Sequence, residues 1–322
     1  MTAEQLPLFA KDGASVSPPP PDWGEQDLQP IPIDKDRALS PVDLVPPDAL
    51  FRIMNNYNLN GNLIGRLLRE LGSGDKSKSV IKINREALAS LLAIPSERLV
   101  SIFTFSRKAE MVSAANQLMP FGNLLLQEDP YLLNEGIAWF LHFLISSNAN
   151  LIVWSRLFNH IFYQESEAAP VDLISYFPDI RGNKTEKVFA NNTRNEIAAV
   201  LRTYADDLFK SLGMIVRIHT GHYTVITDEF LIPLNIWLAS ILAYRDLYYP
   251  GAASLETRFL VDAHFSPGRL FRQKEEAVRR ALDALHNQGL ISVETRLGLD
   301  QVRFKNGITW LSAIARHFEE DK

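Results

Sequence analysis

LLLQEDPYLLNEGIAWFLHFLISSNANLIVWSRLFNHIF, residues 124–162, is the part of the chain that decides the class of fold. Its apolar residues recur three and four positions apart on both sides of the polar run at 146–150, and this spacing predicts two helices. Asn134 is placed to cap the first helix, because its side chain can accept hydrogen bonds from the N–H groups of the first turn. Both helices carry wide apolar faces, so we expect them at the centre of a mainly α-helical protein.

Residues 48–125, which precede this stretch, are predicted to form a small domain with a helix-turn-helix. We expect a long helix at 49–71, a helix at 85–92 capped by Asn84, and a helix at 97–109 capped by Ser96. Two helices joined by a three-residue turn have the spacing of a DNA-binding helix-turn-helix. Residues 51–125 hold ten Lys and Arg against five Asp and Glu, which suits contacts with phosphates.

Several polar side chains of this section are expected to face DNA. They are Lys76, Lys78, Arg85, Arg98, Ser101, Arg107 and Lys108. The competing interpretation is an ordinary helix pair that binds nothing, because many pairs share this spacing. Phe105 on the second helix would also be unusual on an exposed recognition face.

Residues 126–250 are predicted to form a central helical domain with a small β-hairpin. After the two helices of the opening stretch, an amphipathic helix is expected at 193–212 and another helix at 230–244. Two short strands are predicted between them, at 214–218 and 223–226, around a turn at Thr220-Gly221. This helical middle is expected to carry a protein partner or a homodimer contact.

Residues 251–322 are predicted to form a winged helix. The pattern indicates a short helix at 255–263, a long helix at 272–287, and two strands at 290–295 and 301–304 around the wing. In such a unit the long helix enters the major groove of DNA. The cations expected to contact DNA are Arg269, Arg272, Lys274, Arg279, Arg280, Arg296, Arg303 and Lys305. A winged helix that docks a protein is an equally open interpretation.

Residues 1–47 contain ten of the 18 prolines, and residues 1–50 carry nine acidic against three basic side chains. Such a composition predicts an extended or disordered acidic tail. Within it, QLPLF resembles the short peptide by which bacterial proteins bind the replicative sliding clamp, with Gln5, Leu6, Leu8 and Phe9 as the contact residues. The alternatives are a small apolar tether that packs on its own domain, or no role.

The sequence shows none of the familiar catalytic motifs. It lacks a phosphate-binding Gly-rich loop, a dinucleotide-binding loop, His-Glu-x-x-His and Gly-x-Ser-x-Gly, and it contains no cysteine. His219 and His222 are interpreted as loop residues rather than metal ligands, and His142 as a core or interface residue. No apolar run approaches the length of about 18 residues that spans a bilayer. We therefore expect a cytoplasmic, non-catalytic protein without cofactor or metal.

Five segments in a fixed order carry a resemblance to a known family. They are MPFGNLL at 119–125, DPYL at 129–132, IAWFLH at 137–142, WSRLFN at 154–159 and NEIAAVLRTY at 195–204. Through them, residues 51–313 resemble a bacterial protein family of unknown function. Its members are often encoded beside sulfur-transfer genes of DNA phosphorothioation and phage-defence systems. The resemblance implies an accessory role in DNA modification or defence.

The residues and the resemblance together lead to one functional hypothesis and one alternative. The hypothesis is a DNA-binding or DNA-targeting accessory subunit whose partners are double-stranded DNA and a modification or sulfur-transfer enzyme. The alternative is a protein–protein adaptor that docks such an enzyme and is recruited to the sliding clamp by its tail. A continuous basic face would favour the first, and an exposed apolar patch the second.

Overall fold

The computed structural model describes residues 50–54, 56–73, 84–227, 229–295 and 300–322. Lys76, Lys78, Arg296 and the predicted clamp peptide with Gln5, Leu6, Leu8 and Phe9 lie outside these ranges. The protein is mainly α-helical, as predicted. It contains two small antiparallel three-stranded sheets, where the sequence predicted a two-stranded hairpin and the two strands of a wing.

The N-terminal part forms helices α1 (Gly61–Gly72), α2 (Arg85–Leu92), α3 (Ser96–Lys108) and α4 (Pro120–Glu128). The side chains of Asn60 and Asn84 cap α1 and α2 by accepting hydrogen bonds from first-turn N–H groups. Ser96 does not cap α3, since Pro95 occupies the N-cap position and Ser96 is the first helical residue.

The helix predicted from residue 49 begins only at Gly61. Among the described residues before it, the Leu50 N–H donates to the Asn150 carbonyl at 2.7 Å. The carboxylate of Glu196, which is buried, then accepts the N–H groups of Ile53 and Met54 at 2.9 Å each. These N–H groups donate to a carboxylate instead of to the carbonyl groups of a helix. We call this arrangement the Glu196 tether.

The opening stretch of the sequence folds into α5 (Glu135–Ser146), α6 (Ile152–Arg156), a π-helix (Leu157–Ile161) and α7 (Phe162–Gln164). Asn134 caps α5 as predicted, because its side chain accepts from the Ile137 N–H at 3.0 Å. Residues 136–146 are all buried, so α5 is surrounded by protein on every side. The π-helix was not expected from the sequence.

The first sheet lies beside the long helix α8 (Glu186–Asp206). It consists of β1 (Glu167–Ala168), β2 (Ile215–His219) and β3 (His222–Val225) in the order β1-β3-β2. Two 3₁₀ turns, Asp172–Tyr176 and Pro178–Ile180, lead into α8, and a third, Lys210–Leu212, follows it. The helix begins seven residues before the predicted 193, because Thr185 caps it by accepting from the Val188 N–H. It ends at Asp206 rather than 212.

Helix α9 (Leu234–Tyr248) packs against α5 and leads to the C-terminal unit. That unit contains β4 (Ser254–Glu256), α10 (Arg258–Val261), α11 (Pro267–Leu270), α12 (Glu275–Asn287), β5 (Ile291–Glu294), β6 (Gln301–Phe304) and α13 (Trp310–Glu320). The second sheet has the order β4-β6-β5. The predicted long helix starts at Glu275 rather than 272, because Arg272 has a φ of 55° and Lys274 is extended.

The buried apolar residues form one connected cluster that includes Leu67 of α1, Leu141 of α5 and Val278 of α12. This core therefore passes through all three sections that follow the N-terminal segment, and the boundaries predicted at 125 and 250 stay predictions. No single helix in the described ranges has the length and apolarity needed to cross a bilayer. Helices α2 and α3 have that length and apolarity only when they are counted together, and they are separated by a 96° bend.

Candidate nucleic-acid interface

The pair α2–α3 has helix-turn-helix spacing and a sharp turn. Ala93 has a left-handed φ of 55°, which ends α2, and Pro95 starts α3 in an extended conformation. The two helices are bent by 96° relative to each other. Arg66 of α1 braces the pair by donating to the Leu91 carbonyl at 3.1 Å. The sequence therefore produces a rigid corner with α3 following the turn.

Three predicted contact residues of this corner are partly covered and one is buried. Arg98 lies 5.8 Å from the ring centre of Tyr57, and Arg107 donates to the Asn116 side chain at 2.5 Å. Burial, together with the charge of Arg85, lowers the pKa of Arg107. Ser101 was expected to face DNA, but it is 1% exposed and donates to the Glu97 carbonyl inside α3.

The middle of α3, residues 101–106, is largely buried, which explains the phenylalanines that would be unusual on a recognition face. Phe105 is fully buried, and its ring centre lies 6.4 Å from that of Phe209. Arg85 is exposed and Lys108 is partly exposed at the two ends of the pair. Neither forms an ion pair with a described residue, and they are less enclosed by aromatic and amide partners than Arg98 and Arg107.

Two arginines predicted to contact DNA in the C-terminal unit turn inward instead. The guanidinium of Arg269 donates to the Asn159 carbonyl at 2.8 Å, pairs with Asp262, and lies 4.1 Å from the ring centre of Tyr163. Arg272 donates to the Phe162 carbonyl at 2.5 Å. Carbonyl groups near the end of a helix lack hydrogen-bond donors within the helix, and these two guanidiniums act as the donors. We therefore correct both assignments to structural roles.

The other described arginines of this unit that were predicted to contact DNA are paired with acidic neighbours. Arg279 pairs with Asp300 at 2.7 Å and with Glu275 at 2.8 Å, and these contacts raise its pKa. Arg280 pairs with Glu229, and Arg303 pairs with Glu294 at 2.7 Å. Of the predicted contacts in this unit that the structure describes, Lys274 and Lys305 stay exposed without an ion pair. The described cations of the two modules do not form a continuous basic face.

The hydrogen bond from Arg279 also lowers the pKa of the Asp300 carboxyl. Asp300 additionally accepts from the Thr257 hydroxyl at 2.7 Å, next to the start of α10. Asp300 thus joins α12 to the strand β4 and the first helix of the unit. The charges on this side of α12 serve the internal architecture of the unit.

The two histidines at the β2–β3 turn lie close together on the surface. Their ring centres are 4.2 Å apart, and both side chains are exposed. No group of three or more His, Cys, Asp or Glu side chains with metal-binding geometry occurs in the described ranges. Nothing in this geometry assigns a metal to His219 and His222.

Two open cavities contain acidic groups with shifted pKa values. A cavity of about 320 Å³ is lined by Lys108 and Glu110, and burial raises the pKa of Glu110. Another of about 430 Å³ contains Asp207, whose pKa is also raised by burial. Asn58 and Asn60 donate to the two oxygens of Asp207 at 2.6 and 2.7 Å. Asp207 thereby fixes the start of α1.

Cations at the start of α8 were not singled out from the sequence. Arg181, Lys184 and Lys187 recur every third residue, with Glu186 as the only acid at 180–195. The charge pattern is present in the sequence, but the polar segment around it has no apolar periodicity that would predict a helix there.

The fold and these surfaces define a mainly helical protein with a helix-turn-helix corner and a C-terminal strand–helix unit, built around one core. Residues 101–315 match the family model described as protein of unknown function (DUF4007), and the chain belongs to this family. The predicted membership of a family of unknown function is thereby confirmed.

Two solved structures share the fold. They are described as the SspB crystal structure and the magnesium ion-bound SspB crystal structure. Each has a TM-score of 0.68 and 14% sequence identity, over 87% of this chain and 91% of the other. At this identity the likeness concerns the fold alone. No curated protein matches the sequence.

Proposed function

We propose that this protein binds double-stranded DNA without catalysing a reaction, as an accessory subunit of a bacterial DNA-modification or phage-defence system of the phosphorothioation type. The observation that carries the DNA-binding part is the order β4, α10, α11, α12, β5, β6 with the sheet order β4-β6-β5. We interpret this order as a winged helix, in which α12 would approach the major groove and β5–β6 the backbone. The system is inferred from the family resemblance.

The charges of the two modules limit how this binding would work. Among the predicted contact residues that the structure describes, the exposed or partly exposed cations without an acidic partner include Lys274 and Lys305 in the C-terminal unit and Arg85 and Lys108 in the N-terminal corner. Helix α12 exposes Glu275, Glu276 and Asp283 as well, which disfavours bidentate reading of bases. We therefore propose binding to the backbone, which positions a partner enzyme on DNA rather than selecting a sequence.

A salt titration of DNA binding tests the proposal. The full chain is titrated against a fluorescent duplex, with and without phosphorothioate linkages, between about 50 and 200 mM salt. About four phosphate contacts predict a roughly 100-fold loss of affinity over this range. The variant Lys274→Ala/Lys305→Ala should reduce the salt slope by about 1.8. No binding by the parent protein at the lowest salt would overturn the proposal.

The matched control is Lys210→Ala/Arg316→Ala, which removes two exposed positive charges from the 3₁₀ turn after α8 and from α13. Its slope should equal that of the parent. A preference for the phosphorothioate duplex would identify a sensor of the modification. Equal binding to both duplexes would identify a general DNA tether within the same proposal.

The adaptor is the second candidate, and one observation favours it. Leu231 is 91% exposed and lies beside α12, because Phe230 accepts from Gln273 and Glu229 pairs with Arg280. An exposed leucine next to neutralised arginines suits a protein contact better than a phosphate. In this version the unit would dock the modification or sulfur-transfer enzyme, and Gln5, Leu6, Leu8 and Phe9 would recruit the sliding clamp.

Leu231→Ser tests the adaptor with Val188→Ser as the exposed apolar control. If the unit docks a sulfur-transfer enzyme of such a system, Leu231→Ser should weaken co-elution of the two purified proteins and leave DNA affinity unchanged. Equal co-elution of both variants and the parent would remove Leu231 from the interface. The elution volume of the parent protein in the same chromatography tests the predicted homodimer.

A further inference from the structure

Four cations surround the N-terminal end of α8. We call Arg52, Arg181, Lys184 and Lys187 the α8 basic patch. The ammonium of Lys184 lies 5.2 Å from the ring centre of Phe51, which adjoins Arg52. Arg181 donates to the Lys184 carbonyl at 3.3 Å. Since Lys187 follows one helical turn later, the four side chains share one surface.

None of these four cations forms an ion pair with a described residue, in contrast to the arginines of the C-terminal unit. Asp179, which precedes Arg181 by two residues, is held by both terminal nitrogens of the buried Arg156 at 2.7 and 2.9 Å. Glu186 is the one exposed acid at 180–195. The patch therefore keeps a net positive charge that its own neighbours do not cancel.

The backbone under the patch is fixed. Arg52 immediately precedes the Glu196 tether, and its guanidinium reaches Asn192 at 3.5 Å. Thr185 caps α8, which is 21 residues long and directs the positive end of its dipole toward Lys184 and Lys187. A surface fixed in this way loses little conformational freedom when it binds an anion.

We infer that the α8 basic patch binds the sugar–phosphate backbone of DNA, as a third contact beside the two modules. This inference rests on the proposed function and deepens it. Phosphate contacts in DNA complexes come from Lys and Arg, from amide side chains and from helix N-termini, and this surface offers all three. Asn183, Asn191 and Asn192 supply the amides.

An acidic protein is the competing partner, and the surface fits it less well. Protein interfaces derive most of their affinity from buried aromatic and apolar anchors. The aromatic ring at this surface, Phe51, is covered by Lys184, and Val188 is the one large apolar side chain that the first turn of α8 exposes. A positively charged surface without apolar anchors fits a phosphate backbone better than an acidic protein.

The test uses Lys184→Ala/Lys187→Ala in the full chain, with the exposed Lys210→Ala/Arg316→Ala variant as the control of equal charge. Lys210 follows the opposite end of α8, about 30 Å away. The patch variant should reduce the salt slope of duplex binding by about 1.8 and weaken affinity at 100 mM salt by more than about 10-fold. The control should bind like the parent, and circular dichroism should show all proteins folded.

Lysine acetylation of the complex gives a second, site-resolved measurement. Duplex DNA should protect Lys184 and Lys187 from an acetylating reagent, whereas Lys210 should react equally with and without DNA. Protection of Lys184 and Lys187 supports the inference even if the variants prove unstable. Equal acetylation in both states overturns it.

The outcomes separate this inference from the proposed function. A patch variant that binds DNA like the parent, while Lys274→Ala/Lys305→Ala loses slope, overturns the patch and leaves the proposed function standing. A parent protein that fails to bind DNA overturns both. A patch variant that keeps DNA binding but loses binding to polyglutamate overturns the DNA assignment in favour of an acidic protein.

Discussion

His142 is buried in α5 at a point where three parts of the chain meet. Its Nε2 lies 2.9 Å from the Leu270 carbonyl, and its Nδ1 lies 2.5 Å from the Tyr204 hydroxyl. Because a carbonyl only accepts, Nε2 carries the proton and Nδ1 accepts from Tyr204, so the ring is neutral. Burial lowers the pKa of His142 to about 4, although the bond to Leu270 opposes this shift.

This histidine predicts a loss of stability in mild acid. The unfolded ring takes up a proton near its ordinary pKa of 6.5, whereas the folded ring does so only near about 4. The unfolded state thus binds more protons between these values, and stability falls as pH falls through them. The full effect is on the order of 3 kcal/mol below about pH 4.

Urea unfolding of the parent and of His142→Gln measures this contribution. The measurements are made at several pH values from 7 down to the His142 pKa of about 4. The variant lacks the titrating group, so its stability should fall less steeply with acid. The control His286→Gln, at an exposed position, should keep the slope of the parent. Parallel curves for His142→Gln and the parent would contradict the assignment.

Periodicity was enough to predict that His142 lies in the core, because α5 is apolar around its whole circumference. It was not enough to predict that Arg269 and Arg272 turn inward. Their partners are the Asn159 and Phe162 carbonyls, which become available only through the π-helix and the end of its helical run. Such partners lie about a hundred residues away in sequence, where local patterns carry no information.

At the scale of elements, α1 packs against the loop before α5 through a glycine. A Cβ placed on Gly65 would lie 1.9 Å from the Pro130 carbonyl oxygen, so the two backbones touch. Replacing glycine by alanine inside a helix ordinarily stabilises it by about 0.5–1 kcal/mol. Here Gly65→Ala should instead destabilise the protein by about 1–3 kcal/mol, because backbone cannot move aside cheaply.

Thermal and urea unfolding of Gly65→Ala and of Asn62→Ala, at an exposed position on the same helix, measure this difference. Asn62→Ala should change stability by less than about 0.5 kcal/mol. A Gly65→Ala protein as stable as the parent would mean that α1 and Pro130 are farther apart than described.

The elements themselves were predictable to different degrees. Asn134 and Asn84 cap their helices as their sequence positions predicted, since the capping bond is local. The start of α8 was missed because Thr185 sits in a polar segment without apolar periodicity. The helix expected from residue 49 was wrong because Ile53 and Met54 give their N–H groups to Glu196, 142 residues or more away.

For the whole molecule, the single core predicts a single unfolding event. Leu67, Leu141 and Val278 belong to one buried cluster, so no section can lose its packing without exposing apolar surface of another. Slowly exchanging amides of α3, α5 and α12 should therefore report the same free energy of opening in native-state hydrogen exchange. Distinct values for the three helices would restore the independent domains predicted at 48–125, 126–250 and 251–322.

Charge is also arranged at the scale of the molecule, and the sequence predicted this poorly. Counting Lys and Arg identified basic sections, but pairing decides which cations reach a ligand. Three arginines of the C-terminal unit form ion pairs with Asp300, Glu229 and Glu294. Lys184 and Lys187 have no such acidic partner among the described residues. Ion pairs between distant parts of the chain cannot be read from a local count.

The Glu196 tether has a mechanical consequence. A pull on the chain ahead of Leu50 would be transmitted through the Asn150 carbonyl and the Glu196 carboxylate into the middle of the molecule, not into α1. Helix α8 would carry the load, together with the cations at its first turn. A partner that held the N-terminal segment would thus apply force to the core of the protein rather than to α1 alone.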